Sequence, residues 1–162
     1  MKISTADISD QYGSALTLLN IELQSFGKKE EMAGQVVTLK VYEDNSFVRK
    51  ILSEKGTGKV LVIDGGGSRR CALVGDEIAQ LAIDKGWEGI IVFGCIRDVK
   101  VINAMNIAIK ALGTCPVKSV KRNVGLVGED LLIAGTRIKP DHYVYADTDG
   151  VLLSEVKLDL SQ

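Results

Sequence analysis

Two unbroken apolar runs of strand length, Val60-Leu61-Val62-Ile63 and Gly89-Ile90-Ile91-Val92-Phe93, stand out along the chain. Runs without polar alternation fit strands buried on both faces of a sheet. Each stops at glycine, the first at Asp64-Gly65-Gly66-Gly67 and the second at Gly94. A third apolar run, Cys71 to Val74, leads into Gly75-Asp76. Gln35 to Val41 sets Val37, Leu39 and Val41 against Thr38 and Lys40, the alternation of a half-buried strand. Helical spacing appears in three places. Thr5 opens a short helix reaching Tyr12. Asn45 or Ser46 can cap a helix carrying Phe47, Val48, Ile51 and Leu52, ended by Gly56. Ile78, Leu81 and Ala82 share a face of a helix that Gly86 ends. Asp98 begins a further short helical stretch. Short strands are expected at Ile107–Leu112, Leu131–Ile138, Tyr143–Ala146 and Val151–Ser154. The pattern predicts a mixed α/β domain, and its strand-rich second half argues against a simple doubly wound unit.

Composition narrows the function classes. The 162 residues are 46% hydrophobic and carry a net charge of −1, enough to build a core and too balanced for a strongly basic nucleic-acid binder. Met1 to Asp7 turns polar where a secretory leader needs an apolar centre, and no stretch approaches a membrane span. Three cysteines, Cys71, Cys95 and Cys115, form no CxxC pair. They read as buried packing residues in a reducing, cytoplasmic compartment.

Candidate chemistry gathers at two turns. In Val74-Gly75-Asp76-Glu77-Ile78 a strand passes into a helix, whose first N–H groups can take an anion; an ordinary strand-to-helix turn looks the same. In Gly94-Cys95-Ile96-Arg97-Asp98, Arg97 offers a planar fork for a carboxylate, and Asp98 is a hard oxygen ligand suited to a hydrated Mg²⁺. The alternative is that Asp98 caps the next helix and Arg97 makes a surface ion pair. The run Gly65-Gly66-Gly67-Ser68-Arg69-Arg70 lacks the order of a nucleotide loop, and its arginines suit solvent or subunit ion pairs. His142, the only histidine, reads as structural, because no nucleophilic set assembles around it.

Asp64-Gly65-Gly66-Gly67-Ser68, Val74-Gly75-Asp76, Trp87-Glu88-Gly89, Gly94-Cys95-Ile96-Arg97-Asp98-Val99 and Tyr145-Ala146-Asp147 occur in this order, with Val41-Tyr42-Glu43-Asp44-Asn45 before them. Together they resemble the family of the regulator of ribonuclease activity A and the class II 4-hydroxy-4-methyl-2-oxoglutarate aldolases, over nearly the whole chain. The resemblance implies one compact α/β domain, residues 1–162, of the swivelling β/β/α type, assembled as a homotrimer or a dimer of trimers. It implies cleavage of a small 2-oxo acid to two pyruvates, and oxaloacetate decarboxylation, with a divalent cation, Mg²⁺ or Mn²⁺. Gly75, Asp76, Glu77 and Ile78 match the family's substrate-binding loop. Arg97 matches the substrate-binding arginine and Asp98 the metal-site aspartate, and these two are the expected catalytic pair. Val101 stands where the family motif has Glu or Asp. The regulator branch, which acts on ribonuclease E as a protein partner, loses the aspartate after the arginine; Asp98 keeps it. Neither a nucleic-acid nor a membrane partner is implied.

Overall fold

The computed structural model describes residues 2–161; of the expected domain 1–162, Met1 and Gln162 lie outside the described residues. The strands at its centre are β3 (Met32–Lys40), β4 (Lys59–Asp64), β6 (Gly89–Ile96) and β7 (Ile109–Thr114), which pair in that order and run parallel to one another. The apolar runs become central strands because both of their faces are buried. In β4, Leu61 and Ile63 enter one core while Val60 and Val62 enter another; in β6, Ile90 and Val92 part from Ile91 in the same way.

The first core lies under a helical layer of α2 (Ser46–Leu52), α3 (Asp76–Asp84) and α4 (Val99–Ile102). The second is closed by the hairpin of β9 (Leu131–Ile133) and β10 (Thr136–Ile138), with Val144, Ala146, Val151 and Leu153. Antiparallel strands extend the sheet outward. β11 (Tyr143–Ala146) pairs with β3, β12 (Val151–Ser154) with β11, and β1 (Leu16–Leu18) with β12. At the other edge β2 (Gln24–Phe26) pairs with β7, and β8 (Leu126–Val127) lies on the end of β3. The result is a compact α/β fold with a mixed sheet, a helical layer on one face and β-structure on the other.

Three expectations need correction. Gly94 does not end its strand. β6 continues to Ile96 through a register shift between Val92 and Cys95, because β4 stops at Asp64 and β5 (Ala72–Val74) takes over as its neighbour. Leu131–Ile138 is two strands, turned at Ala134-Gly135, where both residues have positive φ. Gly56 does not terminate α2, which ends with Ser53 as its C-cap; a Cβ on Gly56 would fall 2.2 Å from the Trp87 ring. The first helix, α1 (Thr5–Tyr12), is capped by Ser4, whose Oγ accepts from the Asp7 N–H. Thr5 serves tertiary structure instead, donating its N–H and its hydroxyl to the Asp147 carboxylate. Among the described residues no helix is long and apolar enough to cross a membrane.

Candidate active site

The handover from β4 to β5 makes the site. The chain between them turns at Gly66 and Gly67, both with positive φ, while Asp64 accepts the Gly66 N–H at 2.9 Å. A Cβ on Gly65 would lie 2.8 Å from the Phe93 carbonyl oxygen, so the glycine run serves close backbone approach. Within the chain, Arg70 pairs with Glu43 at 2.7 Å and donates to the Tyr42 hydroxyl. β5 and the last residues of β6 then end side by side, and the Arg97 N–H donates to the Val74 carbonyl. Gly75-Asp76 and Arg97-Asp98, twenty-two residues apart, are thereby neighbours.

Asp98 joins them. Its Oδ2 accepts the Asp76 N–H at 3.1 Å, at the N-terminus of α3. Asp98 sits at the N-cap position of α4 yet makes no side-chain cap there, and its backbone is left-handed, with φ 60° and ψ 37°. A non-glycine residue in that region is uncommon and concentrates at functional positions. The reading of Asp98 as an ordinary cap of the following helix is thus wrong for this fold; the carboxylate is turned toward α3. Gly75 makes room for it: a Cβ there would meet Asp98 Oδ2 at 2.8 Å.

The cleft over these groups holds about 100 Å³ and is lined by Gly75, Asp76, Glu77, Ile78, Arg97 and Asp98. All the site residues expected from the sequence therefore converge, in different roles. The Ile78 side chain packs in the core, although the residue lies at the edge of the cleft. Glu77 is exposed and pairs with Arg49 at 3.6 Å; its N–H is taken by Asp76 Oδ1. Arg97 is half-buried, and its hydrogen-bonding is nearly unspent, with one long donation of 3.4 Å to the Pro116 carbonyl. Val101, half exposed, does not line the cleft.

The opposite wall comes from a loop that the sequence did not flag. Lys118, Ser119 and Lys121 line the cleft, with Asn45 and Arg49 from the start of α2. This loop is pinned by Asp44, which is 3% exposed. One Asp44 oxygen takes the Ser46 N–H and hydroxyl, the other the N–H groups of Arg122 and Val124. Burial raises the Asp44 carboxyl pKa, yet these hydrogen bonds outweigh it and hold the group down to about 2. Ser119 Oγ accepts the Asn45 N–H, and the Val117 carbonyl accepts from Ala72. Outside the cleft, the three cysteines are free and buried, and burial pushes the Cys71 and Cys95 thiols up. His142 serves the fold through its backbone carbonyl, which accepts the Val36 N–H.

A family model for RraA-like proteins, described as Aldolase/RraA, matches residues 5–153. The chain belongs to this family. Its relatives include a protein of Vibrio parahaemolyticus serotype O3:K6, 50% identical over 98% of this chain and 99% of its own length. Another, from Hahella chejuensis, is 46% identical over 100% and 99%. Both are named provisionally as 4-hydroxy-4-methyl-2-oxoglutarate aldolases. Among solved structures, one described as an S-adenosylmethionine:2-dimethylmenaquinone methyltransferase from Geobacillus kaustophilus superposes with a TM-score of 0.94 at 46% identity, covering 96% of this chain and 97% of that one. One described as the RNA-processing inhibitor RraA from Thermus thermophilis gives 0.94 at 40% identity, over 100% and 98%.

The family implies a divalent cation, and the donor set can be tested against it. No group of three or more His, Cys, Asp or Glu side chains converges among the described residues, so a cation held wholly by protein ligands, as in a structural zinc site, does not fit. A hard cation that keeps most of its waters needs only one or two carboxylates. Asp98 meets that need, because only its Oδ2 is engaged and the missing Cβ of Gly75 leaves space beside it.

Proposed function

We propose that this protein is a metal-dependent lyase that cleaves 4-hydroxy-4-methyl-2-oxoglutarate to two pyruvates and also decarboxylates oxaloacetate. The observation that carries the reading is the junction of Arg97, Asp98 and the N-terminus of α3 in one small cleft. The provisional names of the relatives at 46–50% identity support its aldolase part. The cleft volume of about 100 Å³ suits a small acid better than a nucleoside methyl donor together with a menaquinone.

Asp98 would hold the cation, Mg²⁺ or Mn²⁺, which when bound supplies a Lewis acid for the 2-oxo group. Arg97 binds the 2-oxo acid end through its fork and keeps its positive charge where the keto oxygen gains negative charge. The backbone at Gly75–Ile78 faces the same end with the positive pole of α3. In the cleavage the 4-hydroxyl proton leaves to water or a carboxylate, the C3–C4 bond breaks, and its electron pair forms the pyruvate enolate. Protonation at C3 completes the second pyruvate. Oxaloacetate reaches the same enolate by losing carbon dioxide, so one arrangement serves both reactions.

The assembly is proposed as a homotrimer. Val117, Val120, Val124, Leu126 and Val127 lie more than half exposed on or beside the loop wall, an apolar surface that subunit contact would cover. Ribonuclease E is the partner in the competing reading, which rests on the likeness to the RNA-processing inhibitor. The test is pyruvate release from 4-hydroxy-4-methyl-2-oxoglutarate and from oxaloacetate. Release that stops with a chelator and returns with Mg²⁺ or Mn²⁺ is expected. No release from either acid in Mg²⁺ would overturn the reading.

A further inference from the structure

The cleft carries cationic side chains besides Arg97. Four cationic side chains, Arg49, Arg97, Lys118 and Lys121, face three carboxylates, Asp76, Glu77 and Asp98. Arg49 is taken up by Glu77. Among the described residues, none of Arg97, Lys118 and Lys121 lies in an ion pair. Arg97 belongs to the strand-end wall with Asp98. The two lysines stand on the loop wall, so cationic side chains line the cleft from both of its walls.

The loop that carries them is held with unusual firmness for a segment without regular structure. The Ala72 N–H donates to Val117 at 2.8 Å, and Ala72 bridges Lys118 in parallel register. Ser119 is 6% exposed and accepts from Asn45. The Val120 N–H donates to the Glu43 carbonyl. Asp44, buried as a charge, takes the Arg122 and Val124 N–H groups at 2.9 and 3.2 Å. Burying a carboxylate is costly unless its hydrogen bonds are satisfied, and here they fix the backbone on the far side of Lys121. Lys121 Nζ is further held by the Asn45 side-chain oxygen at 3.2 Å. The ammonium groups thus extend from a backbone fixed on both sides of them.

We propose that Lys118 and Lys121 form a subsite for the second carboxylate of a 2-oxo dicarboxylate, with Asp44 as the residue that positions their loop. This rests on the aldolase reading, whose substrate carries a carboxylate at each end while its product carries one. Arg97 takes the 2-oxo acid end and the lysines the far end. Cleavage leaves the far carboxylate on a separate pyruvate, so each product keeps one anchor and leaves more readily than the substrate. The subsite therefore selects dicarboxylates over monocarboxylates of the same length.

The matched probes are 2-oxoglutarate and 2-oxopentanoate, which differ by a terminal carboxylate in place of a methyl and lack the 4-hydroxyl needed for cleavage. Their dissociation constants are measured by calorimetry on the whole protein in Mg²⁺. Wild type should bind 2-oxoglutarate at least about tenfold more tightly, the effect of one charge-assisted contact. In Lys118→Gln/Lys121→Gln the ratio should fall to about one, with 2-oxopentanoate still bound. Each single variant should lose part of the preference, which keeps the test decisive if the double variant folds poorly. Equal binding of both acids by wild type, or an unchanged ratio in the variants, would overturn the subsite. Pyruvate release without discrimination removes the lysine assignment and leaves the aldolase reading; discrimination without pyruvate release does the reverse.

Discussion

One wall of the cleft is delivered by the ends of paired strands, the other by a loop with no regular structure. Gly75 and Arg97 leave β5 and β6 side by side, and the sheet beneath them is buried on both faces. Their positions follow from backbone pairing, and replacing a side chain in that wall changes its chemistry more than its shape. Lys118 and Lys121 depend on a single buried carboxylate, Asp44, from a segment more than seventy residues earlier. In that wall the side chain of Asp44 is the framework. Substitutions at the first wall should therefore act on the chemical step, and substitutions at Asp44 on stability and on substrate affinity.

The largest effect short of the reacting groups is expected at Gly75. Its backbone, φ −120°, is open to any residue, so Gly75→Ala should leave the fold intact. The added Cβ would lie 2.8 Å from Asp98 Oδ2 and must displace the carboxylate. A misplacement of about 1 Å costs roughly 100-fold in rate, and pyruvate release should fall by about that factor while the melting temperature holds. Unchanged turnover would show that the Asp98 position is not demanded.

A smaller effect on turnover is expected at Asp44. Asp44→Ala leaves the Arg122 and Val124 N–H groups without their acceptor, which costs about 1–3 kcal/mol of stability. KM for the dicarboxylate should rise with kcat nearly kept, and Asp44→Asn should restore part of both. A fall in kcat alone would place Asp44 in the chemistry and break the contrast between the walls.

The smallest effect is a pH dependence. The Asp44 carboxyl is held at about 2, below its ordinary value of 3.8, so its contribution is fully present above 3.8 and lost as pH falls through about 2. The gap in melting temperature between wild type and Asp44→Asn should be constant above pH 4 and close toward pH 2. A gap that narrows between pH 5 and 8 would assign the stabilisation to another group.

The same contrast explains what could be read from the sequence. Val60–Ile63 and Ile90–Val92 were legible as doubly buried strands because burial writes itself into neighbouring residues. Arg97 and Asp98 were legible because they follow such a strand. The extension of β6 past Gly94 was not, since it depends on β5 replacing β4 as a partner. The edge strands β1, β2 and β8 are two or three residues long and mostly exposed, too short to carry a period. Lys118 and Lys121 sit in an irregular stretch of exposed valines and polar residues with no period, and nothing local marks them; their signal lies in Asp44, an acidic residue beside a helix start that reads as an ordinary turn.

The proposed chemistry stands or falls with Arg97 binding the 2-oxo acid. The most direct measurement is kcat/KM for pyruvate release by Arg97→Lys and Arg97→Ala, alongside their melting temperatures and their effect on ribonuclease E. Arg97→Lys keeps the charge and loses the fork, so kcat/KM should fall by about 10- to 150-fold, the equivalent of 1.5–3 kcal/mol. Arg97→Ala should fall further, with folding little changed and any ribonuclease inhibition retained. Normal cleavage by Arg97→Ala with ribonuclease inhibition lost would remove Arg97 from the chemistry and place it in a protein interface.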